Sequence, residues 1–243
     1  MKVTIVTGGS RGIGAATCRR LAVAGHAVTV GYRSDAAAAA AVVDGITANG
    51  GSAVAIAVDT SDAVQVQALF AGTAEALGPV TGLVNNAGVG SRIGRFVELD
   101  EADLRRVVEI NVVGAVLCAR EAARRLPRGG AIVNISSAAA TLGSPFEYPH
   151  YAASKAAVEA LTIGLSKELG PEGIRVNTVA PGIIHTDFHA TQSGEPGRAD
   201  RLAASAPLGR SGQPDEVAAA VAWLLSDEAS YVTGANVRVA GGR

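Results

Sequence analysis

Tyr151 and Lys155 stand four residues apart in a stretch of helical pattern, which places a phenol and an ammonium on the same helix face. A free phenol loses its proton near pH 10, and a neighbouring cation favours the phenolate. The pair would therefore bring a tyrosine closer to neutral working pH, as an acid or base for a reacting oxygen. A Tyr and a Lys at this spacing also occur on exposed helices with no chemistry, so the surroundings must decide. Just upstream runs Ile132-Val133-Asn134-Ile135-Ser136-Ser137, a β-branched strand whose C-terminal end delivers two hydroxyls. Alternation alone does not choose between Ser136 and Ser137.

A second constellation opens the chain. Thr7-Gly8-Gly9-Ser10-Arg11-Gly12-Ile13-Gly14 follows the strand pattern Val3-Thr4-Ile5-Val6 directly and leads into a helix pattern. Glycines let backbone approach a pyrophosphate, and free N–H groups at a helix start favour its charge. The spacing, Gly-x3-Gly-x-Gly, departs from GxGxxG, and no Gly-Lys-Ser/Thr is present to suggest an ATP-type loop. About 20 residues further, where an adenosine ribose would lie, the chain reads Val30-Gly31-Tyr32-Arg33-Ser34-Asp35. No carboxylate ends that strand. Arg33, supported by Arg11, could hold a 2′-phosphate by charge-assisted bonds, which favours NADP(H). Asp35 could still reach a ribose, which keeps NAD(H) open.

The elements that must position these groups alternate along the chain. Strands are expected near 2–7, 27–32, 53–58, 81–85, 130–136, 174–180 and 236–240. Helices are expected near 12–24, 36–49, 62–76, 101–126, 150–169 and 214–226. Strands apolar on both faces, separated by helices, predict an α/β chain with a three-layer, doubly wound Rossmann sheet of seven parallel strands. Residues 1–243 read as one domain, with a substrate loop near 187–213 containing one short helix. Hydrophobic residues make up 48% of the 243 and charged residues 18%, so a folded globule is the expectation. A net charge of −1 with no basic stripe argues against nucleic-acid binding. The short apolar start suggests neither a signal peptide nor a membrane span, which points to the cytoplasm. Cys18 and Cys118, without partners at metal-ligand spacing, read as small buried side chains, and no metal is expected.

Taken together, Thr7-Gly8-x3-Gly12-Ile13-Gly14, Asp59, Asn85-Asn86-Ala87-Gly88, Asn111, Ser136-Ser137, Tyr151-x3-Lys155 and Pro181-Gly182-x3-Thr186 resemble the short-chain dehydrogenase/reductase family. The likeness is to its single-domain branch, which includes ketoacyl reductases and glucose dehydrogenases. It spans nearly the whole chain. The resemblance implies that Tyr151 gives a proton to a carbonyl oxygen, that Lys155 lowers its pKa and binds the nicotinamide ribose, and that Ser137 bonds the same oxygen. It implies that Asn111 holds a water relaying protons through the lysine; an asparagine capping a helix break is the other reading of that residue. Asp59 would meet the adenine with Thr60 beside it, or else cap a helix. Asn86, Ala87 and Gly88 would pack the adenosine side, unless they form an ordinary turn. Pro181, Gly182, Ile183 and Ile184 would support the nicotinamide, with Thr186 on its carboxamide. The cofactor-binding set is completed by Gly8, Ser10, Arg11, Gly12, Ile13, Gly14 and Arg33.

Between Ser137 and Tyr151, the residues Thr141, Leu142, Ser144, Phe146, Glu147, Tyr148 and His150 are expected to wall a substrate pocket, joined by Phe188, His189, Gln192 and Glu195. Their mixture suits a small polar carbonyl or alcohol. The small residues Ala115, Ala119, Ala122, Ala123, Ala156, Ala157 and Ala160, with Val237, Val239 and the segment 241–243, would serve a homotetramer or homodimer or else the chain's own core. A nucleotide-sensing regulator without chemistry is the competing function, against which the intact Asn111, Ser137, Tyr151 and Lys155 argue.

Overall fold

The computed structural model describes residues 1–188 and 193–243. Seven parallel strands form one sheet: β1 (Val3–Val6), β2 (Ala27–Tyr32), β3 (Ala53–Ala57), β4 (Gly82–Asn85), β5 (Ala131–Ile135), β6 (Arg175–Pro181) and β7 (Asn236–Val239). Their spatial order is β3-β2-β1-β4-β5-β6-β7. The order reverses between β1 and β4, and ligands of open α/β sheets bind outside the strand ends at such a switch.

Helices cover both faces. α1 (Gly12–Val23), α2 (Ala36–Thr47) and α9 (Pro214–Leu225) bury Leu21, Val42, Val221 and Leu224 against Val28, Val30, Val84, Val133 and Val179. α3 (Ala63–Leu77), α5 (Gly114–Arg125) and α7 (Pro149–Leu169) bury Leu69, Phe70, Cys118, Ala122 and Leu169 against Ile5, Leu83, Ile132 and Val176. Successive strand residues thus serve opposite cores, as a period of two requires. Helix starts follow their caps: Asp35 Oδ1 accepts from Ala38 N at 2.9 Å and Asp62 Oδ1 from Val64 N at 2.8 Å.

The expected helix over 101–126 is not continuous. α4 (Glu101–Val108) passes into a π-helical turn, Glu109–Val113, before α5, and Gly114 N bonds to Glu109 O across it. The turn carries Asn111 and matches the local break expected there. A short α6 (Ala139–Leu142) lies between β5 and α7, and α8 (Arg198–Ala203) is a short helix within 187–213. Ala115, Ala119 and Ala122 are buried inside the chain and serve its own core, the second of the two roles open to them. Both cysteines are buried and free. Among the described residues, no helix is long and apolar enough to cross a membrane, and no cluster of His, Cys, Asp and Glu could hold a metal ion.

A buried ladder ties the strands beneath the site. Asn85 Nδ2 donates to Ala115 O at 2.8 Å and to Asn134 Oδ1 at 3.2 Å, and Asn134 Nδ2 donates to Thr162 Oγ1 at 2.8 Å. Thr178 Oγ1 donates to the same Thr162 oxygen at 2.8 Å. The ladder joins β4, β5 and β6 to α5 and α7. It holds in register the strand ends that present the chemistry.

Candidate active site

The sheet's C-terminal edge opens into a cleft of about 640 Å³. At one end lies the glycine turn. Gly8 and Gly12 take positive φ, and a Cβ on Gly14 would sit 2.2 Å from Gly8 O. Asn86 locks the turn to β4: its Nδ2 donates to Thr7 O at 2.9 Å and Gly8 O at 3.0 Å, while Thr7 Oγ1 accepts from Asn86 N and Ala87 N, each at 3.0 Å. Asn86 is thus a clamp on the turn, and the Ala87-Gly88 wall of the cleft is left without bulk. Thr186 closes over the opposite side, its Cγ2 3.2 Å from where a Cβ on Gly12 would be.

At the other end, Tyr151 is the third residue of α7 and Lys155 follows one turn later. The Lys155 Nζ lies 5.9 Å from the Tyr151 ring centroid and donates to Ile135 O at 2.9 Å. Both side chains are buried. Burial pushes the Tyr151 phenol up, the nearby Tyr148 adds to this, and a hydrogen bond with Ser137 offsets part of it. Desolvation lowers Lys155 to about 8. In the coenzyme-free cleft, removal from water dominates the phenol. Tyr151 holds its proton at neutral pH, the state a proton donor needs.

The two serines separate cleanly. Ser136 Oγ turns to α7, donating to Glu159 Oε1 at 2.8 Å and Lys155 O at 3.2 Å. Ser137 bonds to Tyr151 and accepts from Ala139 N at 3.1 Å. Asn111 stands behind Lys155. Its Oδ1 accepts from Val89 N at 2.8 Å, and its Nδ2 donates to Val89 O at 2.9 Å and Ser154 Oγ at 3.1 Å. Both amide protons are spent, so further bonding to that side chain rests on the second lone pair of Oδ1. Gly88 is the spacer between them: a Cβ there would lie 3.2 Å from Lys155 Nζ and 3.3 Å from Asn111 Oδ1.

The cleft wall brings together Gly8, Arg11, Gly12, Ile13, Gly14, Asn86, Ala87, Gly88, Ser137, Tyr151, Lys155, Pro181, Gly182, Ile184 and Thr186. Ser10, Arg33, Asp59, Thr60 and Asn111 lie off that wall. Arg33 is exposed beyond β2. Arg11 pairs with Asp35, so Asp35 is taken by that pair and by its cap. Asp59 does not cap a helix: its Oδ1 accepts from Ser61 Oγ at 2.6 Å and Ser61 N at 3.0 Å, which holds the carboxyl below its usual range. Thr60 is buried with its hydroxyl 2.7 Å from a Cβ built on Gly114, so its side chain packs against α5.

Of the substrate walls, Leu142, Ser144, Glu147, Tyr148 and Phe188 reach the cleft, and Phe188 lies 6.1 Å from Tyr151 ring to ring. His150 faces a different cavity, of about 630 Å³. His189 and Gln192 fall outside the described residues. Sequence reasoning missed Arg198, a buried guanidinium on the cleft wall. It sits in a breaker-rich interval with no periodic pattern to mark it as buried.

Residues 8–243 match the family model described as enoyl-(acyl carrier protein) reductase. A crystal structure of a short chain dehydrogenase from Burkholderia cenocepacia in complex with NADP superposes with a TM-score of 0.93 at 40% identity, covering 99% of this chain and 97% of that one. The chain belongs to the short-chain dehydrogenase/reductase family. It is 48% identical to the uncharacterized oxidoreductase YgfF of Escherichia coli, over the full length of both. It is 38% identical to a 3-oxoacyl-[acyl-carrier-protein] reductase of Synechocystis, over 99% of this chain and 96% of that protein. As a member of this family it is an oxidoreductase acting between alcohol and carbonyl groups.

Proposed function

We propose that this short-chain dehydrogenase/reductase moves a hydride between NADP(H) and a small carbonyl or alcohol substrate, with Tyr151 as the proton donor and acceptor. The observation that carries the reading is the buried Tyr151 on the cleft wall together with Ser137, with Lys155 Nζ 5.9 Å from its ring centroid.

The cleft fits a dinucleotide because the glycine cradle is filled by any side chain: a Cβ on Gly14 would strike Gly8 O, and one on Gly8 would come within 3.0 Å of Ala87 Cα. The N-terminus of α1 would face the pyrophosphate, and Pro181, Gly182 and Thr186 would flank the nicotinamide. When bound, the nicotinamide supplies or accepts the hydride. Arg11 and Arg33, with no carboxylate at the end of β2, favour NADP(H); NAD(H) is the weaker partner.

In the reducing direction the carbonyl oxygen lies between Ser137 and Tyr151. Ser137 donates a hydrogen bond as negative charge grows on that oxygen. Tyr151 then gives up its proton, and the product is the alcohol. The phenolate left behind is stabilised by Ser137 and by protonated Lys155, and it is reprotonated from solvent along the Lys155 and Asn111 side of the cleft. Oxidation runs the same steps backwards. We further infer a homotetramer or homodimer, because Val116 on α5 and Ile163 on α7 leave apolar surface exposed.

Tyr151→Phe tests the assignment. Turnover should fall by about 10²- to 10⁴-fold while coenzyme binding, read by fluorescence of the reduced form, persists. Unchanged turnover refutes the role.

A further inference from the structure

The loop that leads into α7 is held under strain. Ser144 has a φ of 45° and Phe146 a φ of 63°, a left-handed backbone that is costly for a residue with a side chain. The Phe146 ring is 83% exposed, so packing of that ring does not offset the cost. Strain of this kind persists only where the surroundings over-determine the chain.

The surroundings here are Arg198 on α8, itself 3% exposed. Its Nη1 and Nη2 donate to Glu147 Oε1 and Oε2 at 2.6 Å each, and Nη2 also donates to Tyr148 Oη at 3.1 Å. A bidentate pair fixes direction as well as distance, and this one grips the two residues that end the strained loop. From the main chain, Gly94 N donates to Glu147 O at 3.1 Å.

The grip reaches the acid through one ring. The Tyr148 ring meets the Tyr151 ring edge-on, with centroids 5.2 Å apart. Tyr148 O also accepts from Tyr151 N at 3.0 Å and from Ala152 N at 3.2 Å, so the same residue starts the helix that carries the acid. Were the loop to relax to ordinary φ, Tyr148 would turn with it. The edge contact and the first turn of α7 would then lose their support together.

We propose that Arg198 is a positioning residue for Tyr151: by holding the loop 144–148 against its own strain, it sets Tyr148 beside the acid. This rests on the proton-donor role given to Tyr151 above. The short helix α8 is thereby coupled to the reacting oxygen without touching it.

Arg198→Met combined with Glu147→Gln removes the pair without stranding a charge, since Glu195 keeps Arg201 at 2.5 Å. In reduction of cyclohexanone or ethyl acetoacetate with saturating NADPH, kcat should fall by about tenfold or more, as misplacing a reacting group requires. Coenzyme affinity, read by fluorescence, should stay within about twofold, because the glycine cradle lies at the far end of the cleft. Hydrogen exchange of the 147–152 amides, followed by mass spectrometry without substrate, should speed up by about tenfold.

Phe146→Gly supplies a readout that a merely structural role would not move, because glycine takes the left-handed form freely and the loop then needs less holding. Added to the double variant, it should raise kcat by about threefold more than it does in the otherwise wild-type chain, the left-handed penalty less glycine's own loss of freedom. The exchange should slow again. Where the double variant does not fold, Arg198→Lys keeps the charge but not the fork and should show the same pattern with a loss of about threefold in kcat. A wild-type kcat in these variants, unchanged exchange, or a loss that Phe146→Gly leaves as it is overturns the proposal. A wild type that reduces neither compound counts against the oxidoreductase reading, and the exchange comparison then decides by itself whether Arg198 holds the loop.

Discussion

Replacing Lys155 by Met should make the coenzyme-free protein more stable at neutral pH while removing its activity. Burial lowers the amine from its ordinary 10.5 to about 8. At about 1.4 kcal/mol per tenfold change in protonation, the folded state disfavours the ammonium by about 3 kcal/mol. Methionine fills similar space and carries no such cost, but it leaves Ile135 O without the donor now at 2.9 Å, a loss of about 1 kcal/mol. The net expectation is a gain of about 2 kcal/mol at pH 7. Between about 8 and 10.5 the unfolded lysine binds more protons than the folded one, so wild-type stability rises with pH through that window. The advantage of Lys155→Met should therefore shrink to under about 0.5 kcal/mol by about pH 9.5. Urea unfolding at the two pH values, without coenzyme because a ligand would shift the midpoint, gives the comparison. A variant less stable at pH 7, or a gap independent of pH, would refute the claim that burying this charge costs the fold.

Gly14→Ala should weaken coenzyme binding at least about 100-fold, equivalent to about 3 kcal/mol, because its methyl would contact Gly8 O at 2.2 Å; titration of reduced-coenzyme fluorescence reads this directly. Arg33→Ala should lower the ratio of kcat/KM for NADPH over NADH by about tenfold, the worth of one charge-assisted bond; an unchanged ratio would assign the 2′-phosphate elsewhere. His150 is buried with both ring nitrogens unpartnered among the described residues, so His150→Leu should stabilise by about 1 kcal/mol. Burial holds its pKa below 6.5, with Asp103 and Arg106 acting in opposite senses. The wild type therefore loses stability as pH falls below 6.5 and the unfolded imidazole takes up its proton. The advantage of the leucine variant should grow in urea titrations at about pH 5.5, since that linkage is absent from it.

The layered sheet was legible because its signals are local: four-residue apolar runs such as Val3–Val6, ended by glycine or asparagine, have few other ways to be buried. Tyr151, Lys155 and the glycine turn were legible for the same reason, their geometry being set within one helical turn or one loop. What sequence could not settle depends on distant partners. Ser136 and Ser137 differ only in what α7 offers each of them. Thr60 faces α5 because Gly114, far along the chain, leaves it room. The raised Tyr151 pKa comes from burial, with the nearby Tyr148 adding to it, which the i, i+4 spacing does not report. Arg198 becomes a cleft residue through Glu147, 51 positions away.

The π-helical turn at Glu109–Val113 amounts to one residue more than an unbroken helix would use to cover the same length. Each helical residue rotates the chain by about 100°, so the extra one decides which side of α5 meets the sheet. Without it, the faces of α4 and α5 would come back into phase, and the stripe that now buries Cys118 and Ala122 would swing away from β4. Asn111 would lose its hold on Val89 at the same time. A surplus residue in the helix is thus what lets a single chain segment answer two separate demands, core packing at one end and the floor of the cleft at the other.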